Sequence, residues 1–239
     1  MGIAAMRFGG ADLPHHSNNT QHPTRIAQNS VSNRNREVLQ AQAVAQLGNS
    51  SAVCTRLPDN ESDLQRCALL LLTMDQPATA LNQMMASATQ HGFTVVLTPA
   101  DLSSSRDAPL ACRSDFLIVS ENELEALTEM PSYCFAQMEE AAKSLLQQGL
   151  RNLIITLGER GCLWMSQGKT RHVAAYKVTA AETRSASDAF IGCFAHYYAK
   201  DGDVLNALEH ASLYAACCVS RTGRQDIYPS LAEFQAFRP

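Results

Sequence analysis

The sequence predicts an α/β fold of three layers, a mostly parallel central sheet flanked by helices, on three observations. Strand-like apolar runs alternate with helical patterns along the chain. The strand runs are apolar at consecutive positions, as strands covered on both faces are. The helical stretches each confine their apolar residues to one face. The 239 residues suit a single domain, 1–239, with one large core.

The elements follow in order. A segment over 14–38, rich in Asn, Gln, Ser, Thr and Arg and poor in large apolar residues, is expected to be irregular. The first core strand is Ala68–Met74, where Leu69 to Leu72 form an unbroken apolar run. A helix over 78–90 leads to strands at Phe93–Leu97 and Asp115–Val119. The helix over 136–148 places Met138, Ala141, Ala142, Leu145 and Leu146 on one face and Glu139, Glu140, Lys143 and Gln147 on the other, with Gly149 as its stop. A strand at Asn152–Leu157, a hairpin over Cys162–Tyr176 and helices over 188–199 and 204–219 complete the series. Ligands in such sheets bind beyond the carboxyl ends of the strands, so Thr73–Asp75, Thr98–Asp101, Ser120–Glu123 and Thr156–Gly161 are the places to look.

Composition removes several function classes. A net charge of -4 without a Lys/Arg run argues against a nucleic-acid partner. No apolar stretch is long enough to span a bilayer and the start lacks a secretion-signal pattern, which makes the cytoplasm the expected location. The eight cysteines (Cys54, Cys67, Cys112, Cys134, Cys162, Cys193, Cys217, Cys218) lie in apolar segments without ligand spacing and are expected to be reduced core residues. His15, His16 and His22 sit in polar surroundings that suit a solvated loop better than a metal site.

The chemistry-bearing stretch is Glu182-Thr183-Arg184-Ser185-Ala186-Ser187-Asp188-Ala189-Phe190-Ile191-Gly192, small residues followed by a carboxylate at a helix start. Free backbone N–H groups and the positive end of the helix dipole can hold a phosphoryl group at Ser185, Ala186 and Ser187. Asp188 then stands ready to accept a hydroxyl proton. Taken alone, the same residues are better described as an ordinary N-cap at Ser185 or Ser187 with a favourable first-turn acid.

This stretch resembles the C-terminal signature of the ribokinase-like (phosphofructokinase B type) carbohydrate kinases, in which Asp-Thr leads through a Gly-Ala-Gly or Ala-Ala-Gly turn to the catalytic Asp. Other family segments appear in the same order. Val96-Leu97-Thr98-Pro99-Ala100 resembles the strand ending in Asn-Pro-Ala-Pro, and Asp115 to Glu123 the strand entering Asn-Glu-x-Glu. Ile155-Thr156-Leu157-Gly158-Glu159-Arg160-Gly161 is similar to the Thr-Leu-Gly-x-x-Gly phosphate loop, and Thr222-Gly223-Arg224-Gln225 to the Lys-Gly-Ala-Gln turn. More faintly, Ile3 to Leu13 resembles the first strand and its Asn-x-Asp, and Gln40 to Gly48 with Thr55 to Asn60 the helix and following strand around the first signature.

The resemblance implies transfer of the ATP γ-phosphoryl group to a primary hydroxyl of ribose or a related sugar. It makes Asp188 the base and Ser185, Ala186 and Ser187 the anion hole. It assigns Thr156, Gly158, Gly161 and Ser120 to the nucleotide and Ser212 to its adenine. Glu123 would act through water on Mg2+, Asp12 and Asp75 would contact sugar hydroxyls, and Glu182 with the Gly223 turn would hold K+. The implied partners are thus ATP and a small sugar.

This chain also departs from the pattern. The glycines of Gly-Gly-Lys-Gly-Ala-Asn, expected near Arg34–Leu39, are absent, and the lid residues the family carries between Glu61 and Leu69 are largely missing. Ser187 replaces Gly, Glu182 replaces Asp, Ser120 replaces Asn, and Arg184 is a charge beside the anion turn. A positive φ required at Ser187 would be strained, and a phosphoryl site without its lid would be wet and prone to ATP hydrolysis. A second class of function therefore stands beside the enzyme: a catalytically impaired pseudokinase, retained as a nucleotide-binding or interaction module. A dinucleotide-binding enzyme lacks its G-x-G-x-x-G after the first strand.

Overall fold

A computed structural model describes residues 2–6, 36–48, 51–54, 67–99, 104–179, 185–221 and 228–239. The described strands are β1 (Gly2–Met6), β2 (Ser51–Cys54), β3 (Cys67–Thr73), β4 (Thr94–Thr98), β5 (Phe116–Ser120), β6 (Asn152–Thr156), β7 (Cys162–Ser166) and β8 (Lys169–Val173). They form one sheet in the order β2-β1-β3-β4-β5-β6-β7-β8, parallel from β2 to β6 and antiparallel at β7 and β8. The described helices are α1 (Arg36–Gln46), α2 (Ala78–His91), α3 (Ala108–Ala111), α4 (Glu121–Thr128), α5 (Phe135–Gln147), α6 (Ala186–Asp201), α7 (Val204–Val219) and α8 (Leu231–Ala236).

Consecutive apolar residues in the strands serve opposite faces, because side chains alternate across a sheet. Leu70, Leu72, Leu117 and Ile155 join the core under α2, α4 and α5. Leu69, Leu71, Ile118 and Ile154 join the core under α1, α6 and α7. The predicted parallel sheet with helices on both faces is therefore present. The face of α5 is as expected too: Met138, Ala141, Ala142 and Leu145 are buried, and the chain leaves the helix through Gly149 at φ +109°.

Several boundaries differ from the sequence expectation. Helix α1 begins at Arg36, so residues 36–38 of the segment expected to be irregular are helical, as is the region of the missing glycine-rich turn from Arg36 on; the rest of that segment, 14–35, lies outside the described residues. Helices α3, α4 and α8 lie where no helix was expected. They are short, and two start from local capping boxes, Ser120 with Glu123 and Ser230 with Glu233, whose reciprocal hydrogen bonds stabilise a first turn without long periodicity. Cys134 is exposed, contrary to the core expectation; it precedes α5 at the surface, whereas Cys112, Cys162, Cys193, Cys217 and Cys218 are buried. The side chains of Cys54 and Cys67, and His15, His16 and His22, lie outside the described residues, as does 55–66, where most of the shortened lid falls. No described helix is long and apolar enough to cross a membrane.

The α1–α6 crossing is unusually close. A Cβ at Gly192 would lie 2.6 Å from Ala43 Cβ and 2.7 Å from Gln40 O, so two helix backbones meet where only hydrogen fits. Gly192→Ala is expected to cost about 1–3 kcal/mol by overpacking, roughly 2–12 °C in Tm for a chain of this size. A thermal unfolding scan checks it, and a shift under 1 °C would show that the helices separate freely.

Candidate functional site

The carboxyl ends of the strands line up in a row, as the register pairs Thr73 with Thr98 and Ser120 with Thr156. Thr98 is buried and donates to Leu72 O at 3.4 Å, and Thr156 donates to Val119 O at 3.2 Å. These threonines therefore close the strand ends, and Thr156 also lines a cavity. Beyond β6 the chain turns through Gly158 at φ +59° and Gly161 at φ +92°. Leu157 N–H donates to Gly161 O at 2.8 Å and Gly161 N–H to Gly158 O at 3.0 Å, which makes the loop a rigid turn.

Helix α6 opens onto the same crevice. Ser185 is its N-cap residue but makes no side-chain capping bond; its Oγ instead lies 3.6 Å from Cys218 Sγ. The amide groups of the first turn are thus not taken by a serine cap. Ser187 lies inside the helix, and Glu129 is the one described non-glycine residue with positive φ, so the serine replacing the family glycine carries no left-handed strain. A cavity of about 530 Å3 joins the two pieces: Thr156, Gly158 and Gly161 line it from one side, Ala186, Ser187 and Phe190 from α6, and Ser212, Ala215 and Ala216 from α7. Ser212 Oγ donates to Ala174 O at 3.3 Å, holding the chain after β8 as the remaining wall.

Asp188 occupies the third position of α6 and is 5% exposed. Its carboxylate faces α1. Gln40 Nε2 donates to Oδ1 at 3.2 Å, and Arg36 Nε lies 3.7 Å from the same oxygen. Burial raises the carboxyl above its ordinary value of 3.8; Arg36 and the Gln40 hydrogen bond oppose that rise without cancelling it. The buried Tyr228 hydroxyl interacts electrostatically with Asp188 and has no hydrogen-bond partner among the described residues. The same holds for Gln40 Oε1.

Glu123 and Ser120 form the cap of α4: Ser120 N–H donates to Glu123 Oε2 at 2.6 Å, and Glu123 N–H to Ser120 Oγ at 3.3 Å. Glu123 Oε1 accepts from Arg36 Nη1 at 3.0 Å. Ser120, Glu123 and Asp188 are thus brought together through Arg36, while Thr156, Gly158, Gly161, Ser187 and Ser212 are brought together around the cavity. Asp75 is exposed, does not line that cavity, and accepts from Thr73 Oγ1 and from Gln76 Nε2. Asp12, Glu182 and the Thr222–Gln225 turn lie outside the described residues. Arg36, Gln40 and Tyr228 were missed from the sequence. The first two stand four residues apart on one helix, a spacing that puts them on a common face; the family resemblance marked that helix only from Gln40 on and gave neither residue a role.

The pfkB family carbohydrate kinase model matches residues 12–231. A deoxyribokinase of Salmonella typhimurium is 41% identical over 175 residues, which cover 73% of this chain and 57% of that protein. A ribokinase of Staphylococcus aureus is 30% identical over 161 residues, covering 67% of this chain and 53% of the relative. The match therefore spans little more than half the length of either relative. In three dimensions, a ribokinase of Arabidopsis thaliana solved with ribose and ATP superposes with a TM-score of 0.77 at 15% identity, over 98% of this chain and 97% of that one. With the family model running through the Gly158–Gly161 loop and the turn before Asp188, the chain belongs to the pfkB family of carbohydrate kinases.

Proposed function

We propose that this chain is an ATP-dependent sugar kinase acting on a primary hydroxyl of ribose, deoxyribose or a related sugar. The observation that supports it most is the cavity shared by the Gly158–Gly161 loop and the first turn of α6, with Asp188 one residue beyond its wall. Adenine would lie against Ala215, Ala216 and Ser212, and the phosphates against the loop and the α6 amides. The sugar hydroxyl gives its proton to Asp188 as its oxygen bonds to the γ-phosphorus; the bond from that phosphorus to the β,γ-bridging oxygen breaks and ADP leaves. Charge on the transferring group is met by the N–H groups around Ser185–Ser187.

Magnesium fits in a restricted way. Among the described residues no three carboxylate, His or Cys groups converge, and both Glu123 oxygens already accept hydrogen bonds. That set suits an ion carried mainly by nucleotide phosphates and water, with Glu123 reached through a water molecule. When bound, the ion neutralises charge on the β- and γ-phosphate oxygens. The sequence resemblance adds K+ at Glu182.

A coupled ADP-release assay over a pentose and hexose panel tests the proposal. Sugar-dependent ADP release, highest with pentoses, is expected; release indifferent to sugar would make the chain an ATPase. Thermal unfolding with ATP and magnesium separates the pseudokinase. At a ligand concentration of about 100 Kd the stabilisation is about 2.7 kcal/mol, a rise of roughly 5–11 °C. That rise without turnover on any sugar would leave only a nucleotide-binding module.

A further inference from the structure

We infer that Arg36 is the positioning residue of the proton acceptor, tying Asp188 to the two strand ends that flank it. The inference rests on Asp188 being the base. Arg36 is the first residue of α1, and one guanidinium reaches three other parts of the chain. Its Nη1 donates to Pro99 O, just after β4, at 2.8 Å and to Glu123 Oε1, at the start of α4, at 3.0 Å, while its Nε lies 3.7 Å from Asp188 Oδ1. A planar fork with several fixed donors can serve two carboxylates and a carbonyl at once; an ammonium on a flexible stem cannot hold the same geometry. Gln40, one turn along the same helix, supplies the second bond to Asp188 Oδ1 at 3.2 Å.

The arrangement gives α1 a task that helix packing alone does not require. Asp188 is buried, and a buried carboxylate left without a cation is expensive. Arg36 lets it remain ionised and fixes which way its oxygens point. The same guanidinium is shared with Glu123, whose Oε1 at 3.0 Å lies nearer than Asp188 Oδ1 at 3.7 Å, so the cation is divided between the two carboxylates. The proton acceptor is thereby referenced to Pro99, just after β4, and to the cap of α4.

Two measurements test this, and they fail separately from the kinase proposal. The first needs no activity: Arg36→Met is introduced into the wild-type chain and into Asp188→Asn, and thermal unfolding is compared at neutral pH. Arg36→Met is expected to lower Tm by roughly 4 °C or more in the wild type and by under about 2 °C beside Asp188→Asn, because the neutral amide needs no cation. Equal losses in both backgrounds overturn the inference. The second is kinetic. Arg36→Met is expected to reduce kcat for sugar phosphorylation roughly 10–100-fold while ADP affinity stays within about threefold, and Arg36→Lys to recover part of kcat. A weakened ADP affinity with intact kcat would make Arg36 a phosphate contact instead and overturn the positioning role, as would a lysine variant no better than methionine. If the wild type shows no sugar-dependent turnover but the coupling in Tm is present, the kinase proposal falls and the Arg36–Asp188 linkage stands.

Discussion

Asp188→Asn should abolish sugar phosphorylation while leaving a folded, nucleotide-binding protein that is more heat-resistant than the wild type at neutral pH. The loss expected on removing a general base is about 10²–10⁴-fold in kcat. ADP affinity should stay within a few-fold, because the cavity proposed for the nucleotide is lined by Ala186 and Ser187 and does not include the carboxylate. The stability gain follows from the raised carboxyl of Asp188, which is dominated by burial. A carboxyl whose pKa is higher folded than unfolded stabilises the protein fully below its unfolded value, and that contribution disappears as pH rises through the folded value. At neutral pH the ionised group is therefore a net cost that asparagine removes. The Tm difference between variant and wild type should shrink on acidification from neutral pH and be lost below about 3.8, the ordinary value. Stabilisation at the expense of activity is the usual signature of a buried catalytic charge. A variant that turns over as fast as the wild type would remove Asp188 from the chemistry, and one that melts lower at neutral pH would show that Asp188 stabilises the fold.

Gly161→Ala is the second substitution with a large expected effect, and it acts through the Gly158–Gly161 loop. Gly161 has φ +92° and ψ -131°, a region left to glycine, and a Cβ there would sit 1.9 Å from Val173 O and 2.7 Å from Ala175 N. Backbone strain of this kind costs about 1–3 kcal/mol before any clash is counted. The clash cannot be relieved by a side-chain rotation, because the atoms met are backbone. The exit of β8 must therefore move, and with it Ala175 and Tyr176 on the cavity wall and the Ala174 carbonyl that accepts from Ser212. The expected outcome is a Tm lower by roughly 4 °C or more together with at least a tenfold weaker ADP affinity by calorimetry. Gly158→Ala is the control: Gly158 has φ +59° with open space around its missing Cβ, so alanine there should cost only about 1–2 kcal/mol of left-handed strain. Equal ADP affinity in the two alanine variants would show that the contact at Gly161 does not shape the cavity.

The legible part of this protein was what local pattern encodes. Leu69 to Leu72 had to be a strand covered on both faces, because four consecutive apolar residues cannot all point to one side of a sheet. The α5 face followed from its 3.6-residue spacing, and the loop at Gly158–Gly161 and the helix start before Asp188 were visible as small residues at the ends of apolar elements. The short helices α3, α4 and α8 were not, because capping bonds rather than periodicity specify two of them. The site residues divide in the same way. Thr156, Gly158, Gly161, Ser187 and Ser212 were named from sequence and meet around one cavity, whereas Asp75 turned to its own neighbours Thr73 and Gln76.

The sequence by itself determined which elements form and which residue types stand at the strand ends, since propensity, spacing and turn chemistry act within a few residues of chain. Only the tertiary structure decided that Arg36 and Gln40 face Asp188, contacts separated by 152 and 148 positions. The physical reason is the crossing of α1 on α6 at Gly192: the absence of a side chain there lets two helix backbones approach until the head of one reaches the carboxylate at the head of the other. Packing distance, which no local signal records, set the environment of Asp188.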